Sequence, residues 1–155
     1  MGVTSIDRPS RAAFISVLLL SVGPTLLGSP AQAAQLVSSF GNCIDIQRGV
    51  TEDGTPVIQF HCHGSPNQNW VIAGGNLQGA SGTCMDVMGS APTDGAAIIV
   101  VQCNGRDSQK WQIIGGQIVG LGHKCLDIQG GSGGDGTPLI LSICKTSPSQ
   151  QWTVQ

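Results

Sequence analysis

Three stretches of this chain, Gln68-Asn69-Trp70, Gln109-Lys110-Trp111 and Gln150-Gln151-Trp152, lie 41 residues apart and hold all three Trp residues. Cys43, Cys84 and Cys125 keep that spacing, and so do Cys62, Cys103 and Cys144. Asp45, Asp86 and Asp127 each stand two residues after the first Cys of their unit, and Gly54, Gly95 and Gly136 stay in step. A period of this length restricts a chain to a few repeat architectures.

Within each unit the pattern is short and β-like. Cys43-Ile44-Asp45-Ile46, Cys84-Met85-Asp86-Val87 and Cys125-Leu126-Asp127-Ile128 alternate as half-buried strands do. A Gly-, Asp- and Thr-rich loop follows, ending at Asp53-Gly54, Asp94-Gly95 and Asp135-Gly136, pairs suited to positive-φ turns. A second apolar strand then runs into the second Cys: Pro56 to His61, Ala97 to Gln102, Pro138 to Ile143. A polar loop leads to the Gln-x-Trp strand, and Gly74-Gly75 or Gly115-Gly116 turns the chain into the next unit. Helical solenoids need amphipathic helices, which this pattern lacks. Propellers need at least about four blades. Units this small bury no core alone, so the three must close on one another by threefold pseudosymmetry. One Trp from each unit would supply the shared core, which makes the Trp residues core rather than ligand platforms.

The N-terminus stands apart from the repeats. Arg8 and Arg11 precede an apolar run from Ala12 to Leu27, followed by Ala31-Gln32-Ala33. That is the layout of a secretory signal peptide. The run is shorter than the ~20 residues of a spanning helix, and Pro24 interrupts it. The reading is a signal peptide over 1–33, cleaved after Ala33, and a secreted product without a membrane span. One domain then covers 35–155, with repeats 36–76, 77–117 and 118–155.

From Ala34 onward, five Lys and Arg face eight Asp and Glu, a net charge of −3. Five scattered cations draw no basic face, which argues against nucleic acid and against an anionic membrane surface. The six Cys allow fifteen connectivities. The repeat favours closure within each unit: Cys43–Cys62, Cys84–Cys103 and Cys125–Cys144. Export makes oxidation plausible, and each closed loop contributes about 3 kcal/mol in the chain-entropy picture. Zinc is the rival reading, because His61-Cys62-His63 has the look of a ligand cluster. The other two units offer no His beside their second Cys, so neither metal nor other cofactor is expected.

Cys-Ile-Asp-Ile, Asp-Gly-Thr-Pro-Val, His-Cys-His-Gly and Asn-Gln-Asn-Trp together resemble a ricin B-type lectin repeat. The resemblance covers about Gln35 to Gln155. It implies an all-β fold, a β-trefoil of twelve strands in three repeats of about 41 residues, with shallow sugar pockets, at most one per repeat. It implies a division of labour too. An Asp after the first Cys accepts bonds from sugar hydroxyls. An aromatic two residues before the second Cys stacks on the sugar's apolar face. An Asn before the Gln-x-Trp Gln makes a further polar contact, and the Gln holds the Asp. The residue types suit a pyranose, whose apolar face fits a flat ring and whose hydroxyl rim fits an ionised carboxylate.

The first repeat carries the whole set on this resemblance: Asp45, Phe60, Asn67 and Gln68, with His63 where some relatives place a ligand-touching His. The second keeps Asp86 and Gln109 but has Val101 and Ser108 in place of the ring and the amide. The third keeps Asp127 and Gln150 but has Ser142 and Ser149. Ile58 stands where many relatives carry a polar residue, and it shares a strand face with Phe60. The Asp residues recur even where the ring is missing, which also suits a structural role beside a turn. The expected function is therefore a monomeric, secreted, non-catalytic protein that binds glycans or polysaccharides in the first repeat. The alternative is a secreted trefoil that binds a protein partner, for example a hydrolase inhibitor, since a fold does not dictate a function. Glycoside hydrolysis is disfavoured: it usually needs two placed carboxylates, and these units offer one apiece.

Overall fold

A computed structural model describes residues 1–2 and 32–155. The expected signal peptide lies almost wholly outside the described residues. A two-residue strand, β1 (Ala33–Ala34), precedes twelve others. The first repeat supplies β2 (Leu36–Ser38), β3 (Asn42–Ile46), β4 (Thr55–His61) and β5 (Trp70–Ala73). The second supplies β6 (Asn76–Gln78), β7 (Thr83–Val87), β8 (Ile98–Gln102) and β9 (Gln112–Ile114). The third supplies β10 (Gln117–Val119), β11 (Cys125–Ile128), β12 (Thr137–Ser142) and β13 (Trp152–Val154). Single 3-10 turns link many of them, and among the described residues no helix is long and apolar enough to cross a membrane. The fold is an all-β trefoil.

One detail departs from the sequence reading. The Gln of each Gln-x-Trp motif does not sit on a strand. It ends a 3-10 turn (Pro66–Gln68, Asp107–Gln109, Pro148–Gln150), and the following strand starts at or just after the Trp. The tight turn folds the Gln side chain back toward its own repeat.

The core is built from threefold sets. Leu36, Leu77 and Ile118 form one; Ile44, Met85 and Leu126 another; Ile46, Val87 and Ile128 a third; Val57, Ile98 and Leu139 a fourth. All are buried together with Trp70, Trp111 and Trp152. Each indole N–H donates to a carbonyl of its own repeat's strand: to Ile44 at 3.0 Å, Met85 at 2.9 Å and Leu126 at 3.3 Å. A buried Trp therefore adds apolar area without stranding its one donor. Truncating such a ring to Ala costs on the order of 3–5 kcal/mol. Close approach is enforced as well. A Cβ on Gly120 would lie 2.5 Å from the Trp111 ring, and one on Gly79 would lie 2.6 Å from Ile46.

Disulfides join Cys43 to Cys62, Cys84 to Cys103 and Cys125 to Cys144, with Cα separations of 5.1, 5.0 and 5.0 Å. Each closes its repeat at the open end of a hairpin, β3–β4, β7–β8 or β11–β12. With its sulfur in a disulfide, Cys62 has no thiolate for a metal, and among the described residues no group of three His, Cys, Asp or Glu could hold one.

These three hairpins ring the pseudo-axis. β4 pairs with β8 at Thr55–Val100 and with β12 at Thr137–Gln59, and an Ala97–Ile140 bridge completes the circuit. The Asp-Gly pairs reinforce each junction. Gly54, Gly95 and Gly136 donate their N–H groups to the carbonyls of Val100, Leu141 and Gln59, at 2.9, 2.8 and 2.8 Å. Asp53 accepts the N–H of Gln102 at 2.7 Å. Asp135 accepts the N–H of His61 at 2.7 Å through one oxygen and meets the His61 Nδ1 at 2.7 Å through the other.

The fifth core set is broken. Val100 and Leu141 are apolar, but their equivalent in the first repeat is Gln59, which is fully buried. Its amide donates to the carbonyls of Ser132 and Gly134. The third repeat's loop is thereby held against the first repeat.

The remaining connections are hairpins between successive repeats. β5 turns into β6 over Gly74-Gly75, and β9 into β10 over Gly115-Gly116. All four glycines have positive φ, as tight two-residue hairpin loops demand. The third equivalent, β13 against β2, has no covalent turn. Gln35 and Gln155 exchange two backbone hydrogen bonds, at 2.8 and 2.9 Å. Ala34 of β1 lies opposite Trp70, where Gly75 and Gly116 accept the N–H groups of Trp111 and Trp152. β1 thus takes the place of half a Gly-Gly turn.

Two predictions follow from these contacts. A circular permutant joining Gln155 to Gln35 through two glycines, and opened between Gly74 and Gly75, should form the same three disulfides. Its melting temperature should stay within about 5 °C of the parent, because adjacent termini tolerate relocation. The side-chain bond from His61 and the His61 backbone N–H hold the Asp135 carboxyl below its ordinary value of 3.8. Its stabilising effect should be complete above that ordinary value and disappear as pH falls through the lowered folded-state value. A carboxyl NMR titration should find the Asp135 midpoint below 3.8 and find it raised in a His61→Ala variant.

Candidate functional site

The buried glutamine at the end of each 3-10 turn organises its repeat. Gln68 donates from Nε2 to Asp45 Oδ2 and to the His61 carbonyl, both at 2.9 Å, and its Oε1 accepts the N–H of His63 at 2.9 Å. Gln109 makes the same three bonds to Asp86, the Gln102 carbonyl and the Asn104 N–H. Gln150 makes them to Asp127, the Ile143 carbonyl and the Lys145 N–H. Both amide donors and the carbonyl are thus satisfied, as burial requires. Each Asp is aimed by this clamp.

Beyond the clamp the repeats diverge. In the first, Asn67 Nδ2 donates to Asp45 Oδ1 at 2.8 Å and to the Ile46 carbonyl at 3.2 Å. His63 Nε2 lies 3.3 Å from Asp45 Oδ2. The Ser65 N–H donates to His63 Nδ1 at 3.3 Å, which assigns the neutral-ring proton to Nε2, facing the carboxylate. Asp45 therefore faces three side-chain donors while only 2% exposed. Asn67 has used both amide donors within the protein and offers a ligand only its carbonyl oxygen. His63 faces Asp45 while its ring also lines the pocket.

In the second and third repeats the Asn position holds Ser108 and Ser149, both buried. A serine hydroxyl is too short to reach the Asp. It pairs instead with Ser90 at 3.2 Å or Ser147 at 2.9 Å. Oδ1 of Asp86 and of Asp127 is left buried without a protein partner. Lys145 replaces His63 in the third repeat, with Nζ 3.5 Å from Asp127.

All five sequence-expected residues converge in the first repeat. Asp45, Phe60, His63 and Asn67 line a cavity of about 250 Å³ together with Gln47, Arg48, Ile58 and Gly136, and Gln68 aims Asp45 from behind. Phe60 is half-buried on β4 directly opposite Cys43, so the disulfide backs its strand. Its ring centroid lies 4.5 Å from that of His61 and 6.0 Å from that of His63, the latter edge-on. The pocket so combines an aromatic wall, an apolar neighbour in Ile58 and a buried carboxylate, a pairing suited to a ligand with one apolar face and one hydroxyl rim. Arg48 and Gly136 were not expected. Gly136 comes from the third repeat, and the break in apolar pattern at Gln59 was the one sequence signal of that junction. A roomier groove of about 500 Å³ runs past Trp111, between Asp107, Lys110 and His123, and none of the five expected residues reaches it.

Comparison with known proteins agrees with this architecture. A family model described as the ricin-type beta-trefoil lectin domain matches residues 32–154. No curated protein matches the chain in sequence. Among solved structures, the designed threefold-symmetric protein ThreeFoil is 29% identical, with a TM-score of 0.73 over 79% of this chain and 96% of its own. The C-half of the earthworm R-type lectin, crystallised in complex with GalNAc, is 17% identical, with a TM-score of 0.71 over 80% of this chain and 98% of its own. An exo-beta-1,3-galactanase from Clostridium thermocellum is 24% identical, with a TM-score of 0.73 over 81% of this chain. The match spans only 30% of that enzyme. The two last likenesses show the fold alone. With the family model spanning the three repeats and the Gln-x-Trp clamps intact in each, the chain belongs to the ricin-type beta-trefoil lectin domain family.

Proposed function

We propose that this protein is a secreted, non-catalytic carbohydrate-binding protein whose sugar site is the pocket of the first repeat. The observation that carries the reading is the difference between three copies of one plan. All three keep a clamped carboxylate. Only the first adds the Phe60 ring and the Asn67 amide beside it. Val101 and Ser142 offer no flat face for a sugar, and Oδ1 of Asp86 and Asp127 lacks the amide donor that Asn67 gives Asp45. Family membership supports the class of ligand, and the GalNAc bound by the earthworm lectin is of that class. The three internal disulfides and the N-terminal layout support export. N-terminal sequencing of the exported protein should read from Ala34.

The site test uses the threefold plan as its own control. Asp45→Ala, Asp86→Ala and Asp127→Ala each remove the acceptor of a buried Gln amide, and each should cost about 1–3 kcal/mol of stability. Only Asp45→Ala should abolish binding when the variants are titrated with galactose, glucose and xylose oligosaccharides. Phe60→Ala should abolish binding as well, with a smaller fall in melting temperature, because the ring is half-exposed. The stoichiometry should be one sugar per chain, and the affinity weak, since a single shallow pocket gains no avidity from linked sites. Two or three equivalent sugars per chain, or normal binding by Phe60→Ala, would sink the assignment to the first repeat. Capture of a protein partner that survives excess sugar would favour the protein-binding alternative.

A further inference from the structure

Arg48 lines the first-repeat pocket alongside Asp45, Phe60 and His63. Its backbone is left-handed, at φ 57° and ψ 13°. The equivalent residues are Gly89, at φ 77°, and Gly130, at φ 73°. Glycine is what this conformation favours, because an L-residue brings its Cβ against the neighbouring carbonyl there. The first repeat alone places a long side chain at this position, against the backbone preference, and it is also the repeat with the assembled pocket.

Charge makes the placement informative. Asp45 faces the donors of Asn67, Gln68 and His63. Asp135, one residue from the rim-forming Gly136, faces His61. The carboxylates in and beside the pocket are therefore each supplied with donors by the protein. Among the described residues, the Arg48 guanidinium has no ion-pair partner. It is the only Lys or Arg lining the pocket. A guanidinium stays charged across the working pH range and presents a planar fork of donors that matches a carboxylate or a sulfate.

We infer that the pocket selects an anionic saccharide, a pyranose carrying a carboxylate or a sulfate ester, with Arg48 as the specificity-determining residue. This rests on the reading of the first-repeat pocket as the sugar site and names the class of sugar it prefers. The neutral part of the ring is served by Phe60, Ile58 and Asp45. The anionic substituent is directed to the exposed rim at Arg48, away from the buried Asp45 carboxylate. Because that contact is exposed, salt weakens it.

The test titrates the disulfide-bonded protein with matched pairs: galacturonate against galactose, glucuronate against glucose, and N-acetylglucosamine 6-sulfate against N-acetylglucosamine. The parent should bind the anionic member of at least one pair about tenfold more tightly than the neutral one, as charge-assisted bonds allow, and the ratio should shrink as salt is added. The uronate and sulfate arms separate the two kinds of anion. Arg48→Gly restores the residue found in the other two repeats and relieves the left-handed strain, so it should fold. In that variant the ratio of anionic to neutral affinity should fall to about one. A ratio near one in the parent, or a ratio preserved in Arg48→Gly, overturns the inference while leaving the sugar site standing. Failure of both members of every pair to bind overturns the sugar-site reading itself.

Discussion

A buried glutamine amide with three hydrogen bonds is the contact on which each repeat depends. Gln68, Gln109 and Gln150 each tie the Asp of one strand, a carbonyl at or just past the end of the next strand and the N–H of the following loop. An isolated unit of some forty residues has too little core to order such a loop by burial alone. The clamp and the adjacent disulfide close the loop locally, and the Trp two residues later then enters the shared core with its N–H satisfied. The same amide decides where the carboxylate points. Fold and site therefore share one element, and no repeat can lose its Asp frame without disturbing its own closure.

This explains which positions diverged. The clamp and four of the five core sets persist in all three copies. The positions that vary lie just outside the clamp: Phe60, Val101 and Ser142; Asn67, Ser108 and Ser149; His63, Asn104 and Lys145. At the third set the bond to the clamp uses the backbone N–H, so it is made whatever side chain stands there. Replacing Asn by Ser changes the polar chemistry by one side-chain length. The hydroxyl turns to a neighbouring serine, and the outer carboxylate oxygen is left without a donor. A repeat so keeps its clamp and its core contacts whatever stands at these outer positions.

The junction between the third and first repeats is where threefold symmetry is most strongly broken. Gln59 replaces an apolar core residue and holds the loop at Ser132 and Gly134. Asn42 donates to the Gly133 carbonyl at 2.7 Å, and Asp135 engages both the backbone and the ring of His61. A buried amide in an otherwise apolar ring costs desolvation unless bonded, and here its donors are taken up by the loop that brings Gly136 to the pocket. The pocket is thus a product of two repeats distant in sequence, held in register by polar contacts that the other two junctions lack or carry in reduced form.

The amino-acid sequence by itself determined the period, the all-β units, the three disulfide partners and the first repeat as the one with a ring beside its carboxylate. All of these are features of single units, legible because each copy checks the other two at a spacing of 41 residues. Only the tertiary structure decided that His63 faces Asp45, that Asn67 donates to both Asp45 and Ile46, that Gly136 of the third repeat walls the first pocket, and that Arg48 stands at its rim with no ion-pair partner among the described residues. Those facts concern which groups face one another after closure about the pseudo-axis. A repeat pattern carries no record of that, because partner loops some 75 residues apart are brought together by the packing of whole hairpins, and a donor is free or spent according to its neighbours in space.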